Sequence, residues 1–127
     1  MNQWSTYAAV FLGGGLGSVA RFGLSALLNK GHQFFHWGTF SANMLGCLLI
    51  GGLVPFFSKT PHSSLALFAI AGFCGGFTTF STLSWESLKL LEKFGLGPYL
   101  LYVGSSILIG LSLTYGGYKA VLQLFRF

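Results

Sequence analysis

Four long stretches of this sequence carry almost no charge, and they constrain the fold more than any other feature. They cover residues 5–28, 39–57, 63–91 and 98–125. Each is close to or above the roughly 20 apolar residues that an α-helix needs to cross a bilayer core. Charged residues make up 7% of the chain, against about 25% in soluble domains. The sequence therefore predicts an all-α integral membrane protein with four transmembrane helices in one domain, residues 1–127.

The third stretch contains an interruption. The segment Gly72-Phe-Cys-Gly-Gly-Phe-Thr-Thr-Phe-Ser-Thr-Leu-Ser-Trp-Glu86 follows an apolar run and combines adjacent glycines with β-branched and hydroxyl residues. Because a glycine costs about 1 kcal/mol relative to alanine in a helix interior, we expect the helix to break over residues 75–80. Irregular backbone at membrane depth persists only where it is buried in protein or lines a wet cavity. The break is therefore the first candidate for a functional site.

The first span carries small residues and one cation. Gly13 and Gly17 are four residues apart, the spacing at which two helix backbones approach closely. Arg21 lies in the same span, where a guanidinium is costly unless it reaches the interface or finds partners. Its side chain either extends toward the Leu28 end or holds a structural or anion-attracting position. The residues before the span lack the basic region of a cleaved signal peptide, so we expect the span to be retained.

Two further spans place polar side chains at helical spacing. Asn43 follows Thr39 by four residues, so both lie on one face of the second span. The Asn43 amide either bonds a neighbouring helix or points as a neutral donor into a conduit. In the fourth span, hydroxyls recur at multiples of four residues, at Tyr102, Ser106 and Thr114. They line one face unless they bond the carbonyls of their own helix.

The basic residues favour neither orientation in the membrane. With four spans, the termini and the loop 58–62 share one side with Lys59, Lys119 and Arg126, and the other loops lie opposite with Lys30, Lys89 and Lys93. The positive-inside rule needs an imbalance between the two sides, and here the counts are equal. A chain that inserts both ways can form a dimer whose two-fold axis lies in the membrane plane. The sequence thus predicts an antiparallel, dual-topology homodimer in a lipid bilayer.

The polar composition argues against several function classes. Glu86 and Glu92 are the only carboxylates, whereas a proton-coupled cation exporter needs an acidic residue deep in a span. The basic residues form no stripe interleaved with aromatics, which argues against a nucleic-acid partner. There is no nucleophile–base pair and no phosphate-binding loop, so we predict no enzyme activity. His32 and His36 have helical spacing but no third metal ligand nearby, and no metal site is expected there.

Three motifs in the first three spans carry a family resemblance. They are Gly17-Ser-Val-Ala-Arg21, Gly38-Thr-Phe-Ser-Ala-Asn43 and Gly72-Phe-Cys-Gly-Gly-Phe-Thr-Thr-Phe-Ser-Thr82. Together they resemble the CrcB/Fluc family of bacterial fluoride channels, over nearly the whole chain. The resemblance implies a fluoride-selective channel of the bacterial inner membrane that exports fluoride passively, driven by the membrane potential. It also implies a dual-topology homodimer with a broken third helix.

The resemblance further implies individual site residues. A structural sodium ion at the dimer centre would be held by the backbone carbonyls of Gly75 and Thr78. The family's pore asparagine matches Asn43, and the first ring of its phenylalanine pair matches Phe80. The second ring is absent, because Leu83 stands there. Leucine has no electropositive ring edge, so either the pathway tolerates the loss or the protein conducts more slowly or less selectively.

Hydroxyl groups would complete the fluoride pathway that the resemblance implies. These are Ser81 and Thr82 after the break, with Tyr102, Ser106 and Thr114 on the last span. Structural or electrostatic roles are expected for Arg21, Thr39 and Glu86. Two rival classes remain: a small dual-topology cation or multidrug exporter, which the missing carboxylate disfavours, and a structural membrane protein.

Overall fold

The structure, a computed structural model, describes residues 2–31 and 34–125, and His32 and Arg126 lie outside these ranges. Helix α1 is Gln3–Leu28, α2 is Trp37–Phe56, α3 covers residues 64–77, α4 is Phe80–Phe94 and α5 is Leu96–Phe125. Helices α3 and α4 together form the third of four segments that are long and apolar enough to cross a membrane. The predicted all-helical membrane fold with four spans is confirmed.

Glycines let α1 and α3 meet along their backbones. A Cβ at Gly13 or Gly17 would collide with backbone atoms of α3, and one at Gly72 or Gly76 would collide with backbone atoms of α1. Both pairs are four residues apart, so each helix presents a face without side chains to the other. The spacing of Gly13 and Gly17 therefore marks the contact between α1 and α3.

Helix α2 packs against α5 by the same means. A Cβ at Gly51 would collide with the backbone of Thr114, and one at Gly117 would collide with the carbonyl of Leu48. The start of α2 is tied to the end of α1, because Asn29 Oδ1 accepts the Gly38 N–H at 2.9 Å. These close contacts hold α2 at a fixed position between α1 and α5.

Helix α3 is irregular before it ends. Its stretch Leu67–Cys74 is π-helical, with hydrogen bonds between residues five apart, a rare form that often accompanies functional sites. The next turn, Gly75–Phe77, is α-helical, and Thr78 and Thr79 are extended, with ψ angles of 156° and 120°. The interruption thus covers two residues within the predicted range 75–80. The π-helical stretch had no counterpart in the sequence prediction.

A small buried core lies where α4 and α5 meet the segment that leads into α2. It consists of Phe35, Leu83, Leu90 and Tyr102, with Phe40 packed against it. The Phe35 ring stands edge-on to the Tyr102 ring, with centroids 4.9 Å apart, a favourable arrangement for two aromatic rings. This core holds Tyr102 in place beside α4.

Candidate functional site

Asn43 on α2 bonds the backbone of the break through both ends of its amide. Its Oδ1 accepts the N–H of Thr79 at 2.7 Å, and its Nδ2 donates to the Thr79 carbonyl oxygen at 3.1 Å. A backbone N–H can only donate, so this partner determines which end of the amide is oxygen. The bond to the carbonyl uses one of the two amide hydrogens. Of the two roles predicted for Asn43, contact with a neighbouring helix is observed, and a second N–H remains as a donor.

Thr79 organises the hydroxyl groups that follow it. Its Oγ1 accepts the Thr82 N–H at 3.2 Å and so caps the N-terminus of α4. The same oxygen lies 3.1 Å from Thr82 Oγ1 and 3.2 Å from Ser81 Oγ. The predicted pair Ser81 and Thr82 is thus gathered at a helix N-terminus, where the helix dipole favours negative charge. We call Asn43, Thr79, Ser81 and Thr82 the break site.

Arg21 of α1 bonds the backbone close to the break. Its Nε donates to the Gly76 carbonyl oxygen at 3.2 Å, and Ser18 Oγ donates to the same oxygen at 3.4 Å. Of the two alternatives predicted for Arg21, the structure shows the one in which the guanidinium bonds another part of the protein. A carbonyl near the end of α3 is therefore bonded to a cationic side chain, which places a fixed positive charge beside the interruption.

Two carbonyls at the break lose their usual helical donors. In a continuous α-helix the Thr79 N–H would bond Gly75, but it donates to Asn43 instead. The Thr82 N–H likewise bonds the Thr79 hydroxyl rather than the Thr78 carbonyl. A Cβ at Gly75 would meet no atom within 4 Å, so the backbone there borders open space. Carbonyls of unwound backbone and helix C-termini are the groups that hold Na⁺ in membrane proteins, and this donor set fits sodium.

A second polar group, the carboxylate cluster, comprises Thr39, Glu86, Tyr102 and His36. Thr39 Oγ1 donates to Glu86 Oε1 at 2.9 Å, and the Tyr102 hydroxyl donates to Oε2 at 2.6 Å. These three residues are buried. His36 Nδ1 lies 3.6 Å from Glu86 Oε1. A buried carboxylate requires hydrogen-bond partners, and here two other helices supply them, so Glu86 joins α2, α4 and α5.

A cavity of about 550 Å³ borders the break site. Its wall includes six of the predicted site residues: Asn43, Gly75, Thr78, Phe80, Leu83 and Ser106. The side chain of Phe80 is 80% exposed, whereas Leu83 is 8% exposed because it belongs to the buried core. The walls are mainly apolar with a few polar groups, as in binding sites for small ligands. The cavity therefore joins residues from all spans except the first.

The hydroxyls of the last span are only partly gathered there. Ser106 borders the cavity, but its hydroxyl donates to the Tyr102 carbonyl at 2.6 Å. Thr114 donates to the Gly110 carbonyl at 3.1 Å and borders a separate apolar cavity with Gly51. Both hydroxyls therefore bond a carbonyl of their own helix, which was the second of the two alternatives drawn from the sequence. Thr114 is thus placed apart from the break site.

Three residues of these networks were missed by sequence reasoning. The capping role of Thr79 was predictable, because a threonine directly before the point where a helix resumes is a preferred N-cap. Ser18 precedes Arg21 by three residues, so their common face was also predictable. His36 had no such signal, since its contact with Glu86 depends on the packing of separate helices.

The fold and the site define a class: a multi-pass membrane protein with one broken span and polar groups gathered at the break. Residues 8–118 match the model of a family described as CrcB-like protein, camphor resistance (CrcB). The chain belongs to this family, which confirms the resemblance drawn from the motifs.

Several relatives resemble the chain over most of its length. A fluoride-specific ion channel FluC from Bacteroides fragilis is 45% identical over 115 residues, which is 86% of this chain and 91% of the relative. The FluC of Thermus thermophilus is 44% identical over 115 residues, covering 89% and 92%. That of Phocaeicola vulgatus is 46% identical over 105 residues, covering 80% and 86%. These relatives and the four spans identify a multi-pass bacterial membrane protein.

Proposed function

We propose that this chain is a fluoride-selective ion channel that exports fluoride passively and so lowers fluoride toxicity. The observation that carries the proposal is the break site, where the neutral donor Asn43 borders a cavity and Arg21 bonds the nearby Gly76 carbonyl, in a chain 45% identical to a fluoride-specific channel. Donors of this kind replace the water around a small anion without trapping it at a fixed counter-charge. A channel of this design has no catalytic step.

The fluoride pathway follows the donors that meet at the break. The second N–H of Asn43, the hydroxyls of Ser81 and Thr82 and the electropositive ring edge of Phe80 take the place of hydration water. The N-terminus of α4 adds a partial positive charge at the same point. Arg21, bonded to Gly76 at 3.2 Å, raises the local potential without entering the pathway. These groups favour an anion while no single one binds it tightly.

The membrane potential supplies the driving force. Fluoride enters a cell from acidic surroundings as neutral HF, dissociates in the cytoplasm and is trapped as an anion. A potential that is negative inside is worth about 2.3 kcal/mol per charge per 100 mV. An open pathway for the anion therefore suffices for export, without ATP and without proton coupling.

Two antiparallel copies of the chain form the complete channel. Ser81 and Ser84 are exposed on the single chain beside the exposed ring of Phe80, although all three lie within a membrane span. Polar groups at membrane depth need protein or water around them. A second copy facing α4 supplies this environment and closes the cavity. The equal numbers of basic residues on the two sides support insertion in both orientations.

A structural sodium ion belongs to the contact between the copies. The carbonyls of Gly75 and Thr78 would hold it, and when bound it supplies positive charge that stabilises the unwound backbone. One chain provides two such oxygens, fewer than hard cations take in proteins, so the site is complete only in the dimer. Asn43 keeps the Gly75 carbonyl available by binding the Thr79 N–H, and the Thr79 hydroxyl keeps the Thr78 carbonyl available by binding the Thr82 N–H.

Fluoride efflux from liposomes tests the function. Purified protein is reconstituted with internal potassium fluoride, and external fluoride is followed with an electrode after valinomycin releases the opposing potential. The expected result is prompt release that depends on valinomycin, with no release of chloride from matched vesicles. Equal chloride release, or no fluoride release from folded protein, would contradict the proposal.

Thiol labelling tests the dual topology. Ser58→Cys places a thiol in the exposed connection between α2 and α3, on a background in which Cys47 and Cys74 are replaced by alanine. In inverted membrane vesicles and in intact cells, a membrane-impermeant reagent should label about half of the molecules, as an inserted pair of opposite orientation requires. Complete labelling on one side only would rule out the antiparallel dimer.

A further inference from the structure

His36 is the most exposed member of the carboxylate cluster, and the pathway described above does not use it. Resting on the proposed function, we infer that His36 is a positioning residue that tunes fluoride conduction through Glu86. Protonation of His36 in acid offsets the negative charge of the carboxylate and raises the fluoride flux. Fluoride export then increases under the acidic conditions in which HF enters cells.

The geometry couples the imidazole to the carboxylate. His36 Nδ1 lies 3.6 Å from Glu86 Oε1, and the imidazole centroid is 5.9 Å from the ring of Tyr102. The side chain of His36 is 26% exposed and that of Glu86 is 11% exposed. The preceding residue, Phe35, is buried in the aromatic core and fixes this segment. The imidazole is therefore partly exposed while it contacts a carboxylate that is mostly shielded from solvent.

The charges of the two groups set the direction of the effect. Glu86 accepts hydrogen bonds from Thr39 and Tyr102 as a carboxylate would, and a negative charge near the pathway repels an anion. Histidine is the side chain whose charge ordinarily changes between about pH 5 and 8. A proton on His36 places a positive charge next to the negative one, and their fields cancel at larger distances. The hydroxyls of the fluoride pathway then face a pair of side chains with no net charge, and the electrostatic repulsion of fluoride falls.

Other titratable groups lie on the elements around His36. From α4 the titratable group in contact is Glu86, and from α5 it is Tyr102. Helix α1 has no titratable residue after Arg21. The connection after α1 carries the exposed Lys30, together with His32, which lies outside the described residues. Farther along α4, Lys89 and Lys93 are exposed, so water and salt screen them.

The test compares fluoride efflux at about pH 5.5 and about pH 8, the two sides of histidine titration. Four proteins are used: the unchanged chain, His36→Gln, His36→Lys and the control His62→Gln. His62 is exposed and lies in the connection between α2 and α3, at the opposite membrane face. Release without valinomycin and release from protein-free vesicles are subtracted at each pH, which removes the leak of neutral HF.

The unchanged chain and His62→Gln should conduct about threefold to tenfold faster at the lower pH, as expected for one added charge near a pathway. His36→Gln should lose this dependence and stay at the slow rate, while His36→Lys should stay at the fast rate at both pH values. A His36→Gln variant that conducts with the original pH dependence overturns the inference and leaves the channel function intact. Absence of flux in the unchanged chain at both pH values overturns the function and the inference with it.

Discussion

The break site and the carboxylate cluster lie one helical turn apart on α2, yet they are built on different principles. At the break site, Asn43 bonds the backbone of Thr79 through two neutral contacts of 2.7 and 3.1 Å. In the carboxylate cluster, Thr39 and Tyr102 bond the side chain of Glu86 at 2.9 and 2.6 Å. The first site therefore depends on the path of the backbone, and the second depends on side chains alone.

The two regions therefore differ in which substitutions they tolerate. A contact with backbone survives a change of the partner's side chain, so the Asn43–Thr79 contact depends on the side chain of Asn43 and not on that of Thr79. A network of side chains loses a partner whenever any member is replaced, and buried polar groups left without partners are costly. The break site is thus suited to a pathway of neutral donors, whereas the carboxylate cluster ties three helices together and can respond to charge.

Asn43→Asp should have the largest effect on transport. It replaces the amide N–H groups with a second acceptor beside the Thr79 carbonyl, and it adds a charge of the same sign as fluoride. We expect valinomycin-dependent fluoride efflux to fall by at least about a hundredfold, the size expected when two to three kcal/mol of favourable contact is lost.

Asn29→Asp is the matched control for this substitution. Asn29 uses its Oδ1 to accept the Gly38 N–H, and an aspartate keeps that acceptor. The control should therefore retain efflux close to that of the unchanged chain. Near-normal efflux in Asn43→Asp would separate Asn43 from the pathway and make its contact with Thr79 purely structural.

Glu86→Ala should have the largest effect on stability. It leaves the hydroxyls of Thr39 and Tyr102 without their acceptor, at a cost of about 1–3 kcal/mol for each buried group. Glu86→Gln keeps one acceptor oxygen and should lose less stability than Glu86→Ala. The free energy of unfolding in detergent, followed through the three tryptophans, measures both. Equal stability of Glu86→Ala and the unchanged chain would show that the cluster does not hold the helices together.

Thr79→Val should have a smaller effect, because Asn43 bonds only the backbone of this residue. The substitution removes the N-cap of α4 and the contacts with Ser81 and Thr82, which costs about 1 kcal/mol. Thr79→Ser keeps the hydroxyl and should resemble the unchanged chain. Fluoride efflux of Thr79→Val should remain measurable. A loss as large as that of Asn43→Asp would mean that the hydroxyl itself lines the pathway.

Leu83→Phe should produce the smallest change. A ring at this position adds an electropositive edge worth about 0.5–1.5 kcal/mol, which corresponds to an increase in fluoride efflux of about twofold to tenfold. The position is buried, so the larger side chain also costs stability. Leu90→Phe, in the same core and two turns further along α4, should cost stability without raising efflux. Equal efflux in both variants would place Leu83 outside the pathway.

Much of the fold was predictable because it depends on local properties of the chain. Hydropathy and length located the four spans, and the glycine and hydroxyl residues after Gly72 located the interruption. The spacing of Gly13 and Gly17 indicated a close helix contact, which the structure places against α3. Spans and breaks follow from the cost of exposing backbone to lipid, and that cost is the same in any fold.

Less of the site was predictable. The motifs pointed to Asn43 and to Gly75, Thr78, Phe80, Ser81 and Thr82, but they left the partner of Asn43 open and assigned no role to Thr79. The π-helical stretch Leu67–Cys74 was also missed, because a shift to bonds five residues apart depends on how the helix packs. Thr114 shared a helical face with Ser106 in sequence, yet it borders a different cavity.

By itself, the sequence determined that this is a four-span membrane protein, where its third span breaks, and the family to which its motifs belong. Tertiary structure alone decided that Asn43 holds Thr79, 36 residues away, and that Thr39 reaches Glu86, 47 residues away. Hydropathy and spacing are properties of one segment, and they survive in any arrangement of the helices. Hydrogen-bond partners are properties of two or three segments, so they exist only once glycine contacts have fixed the distances between helices.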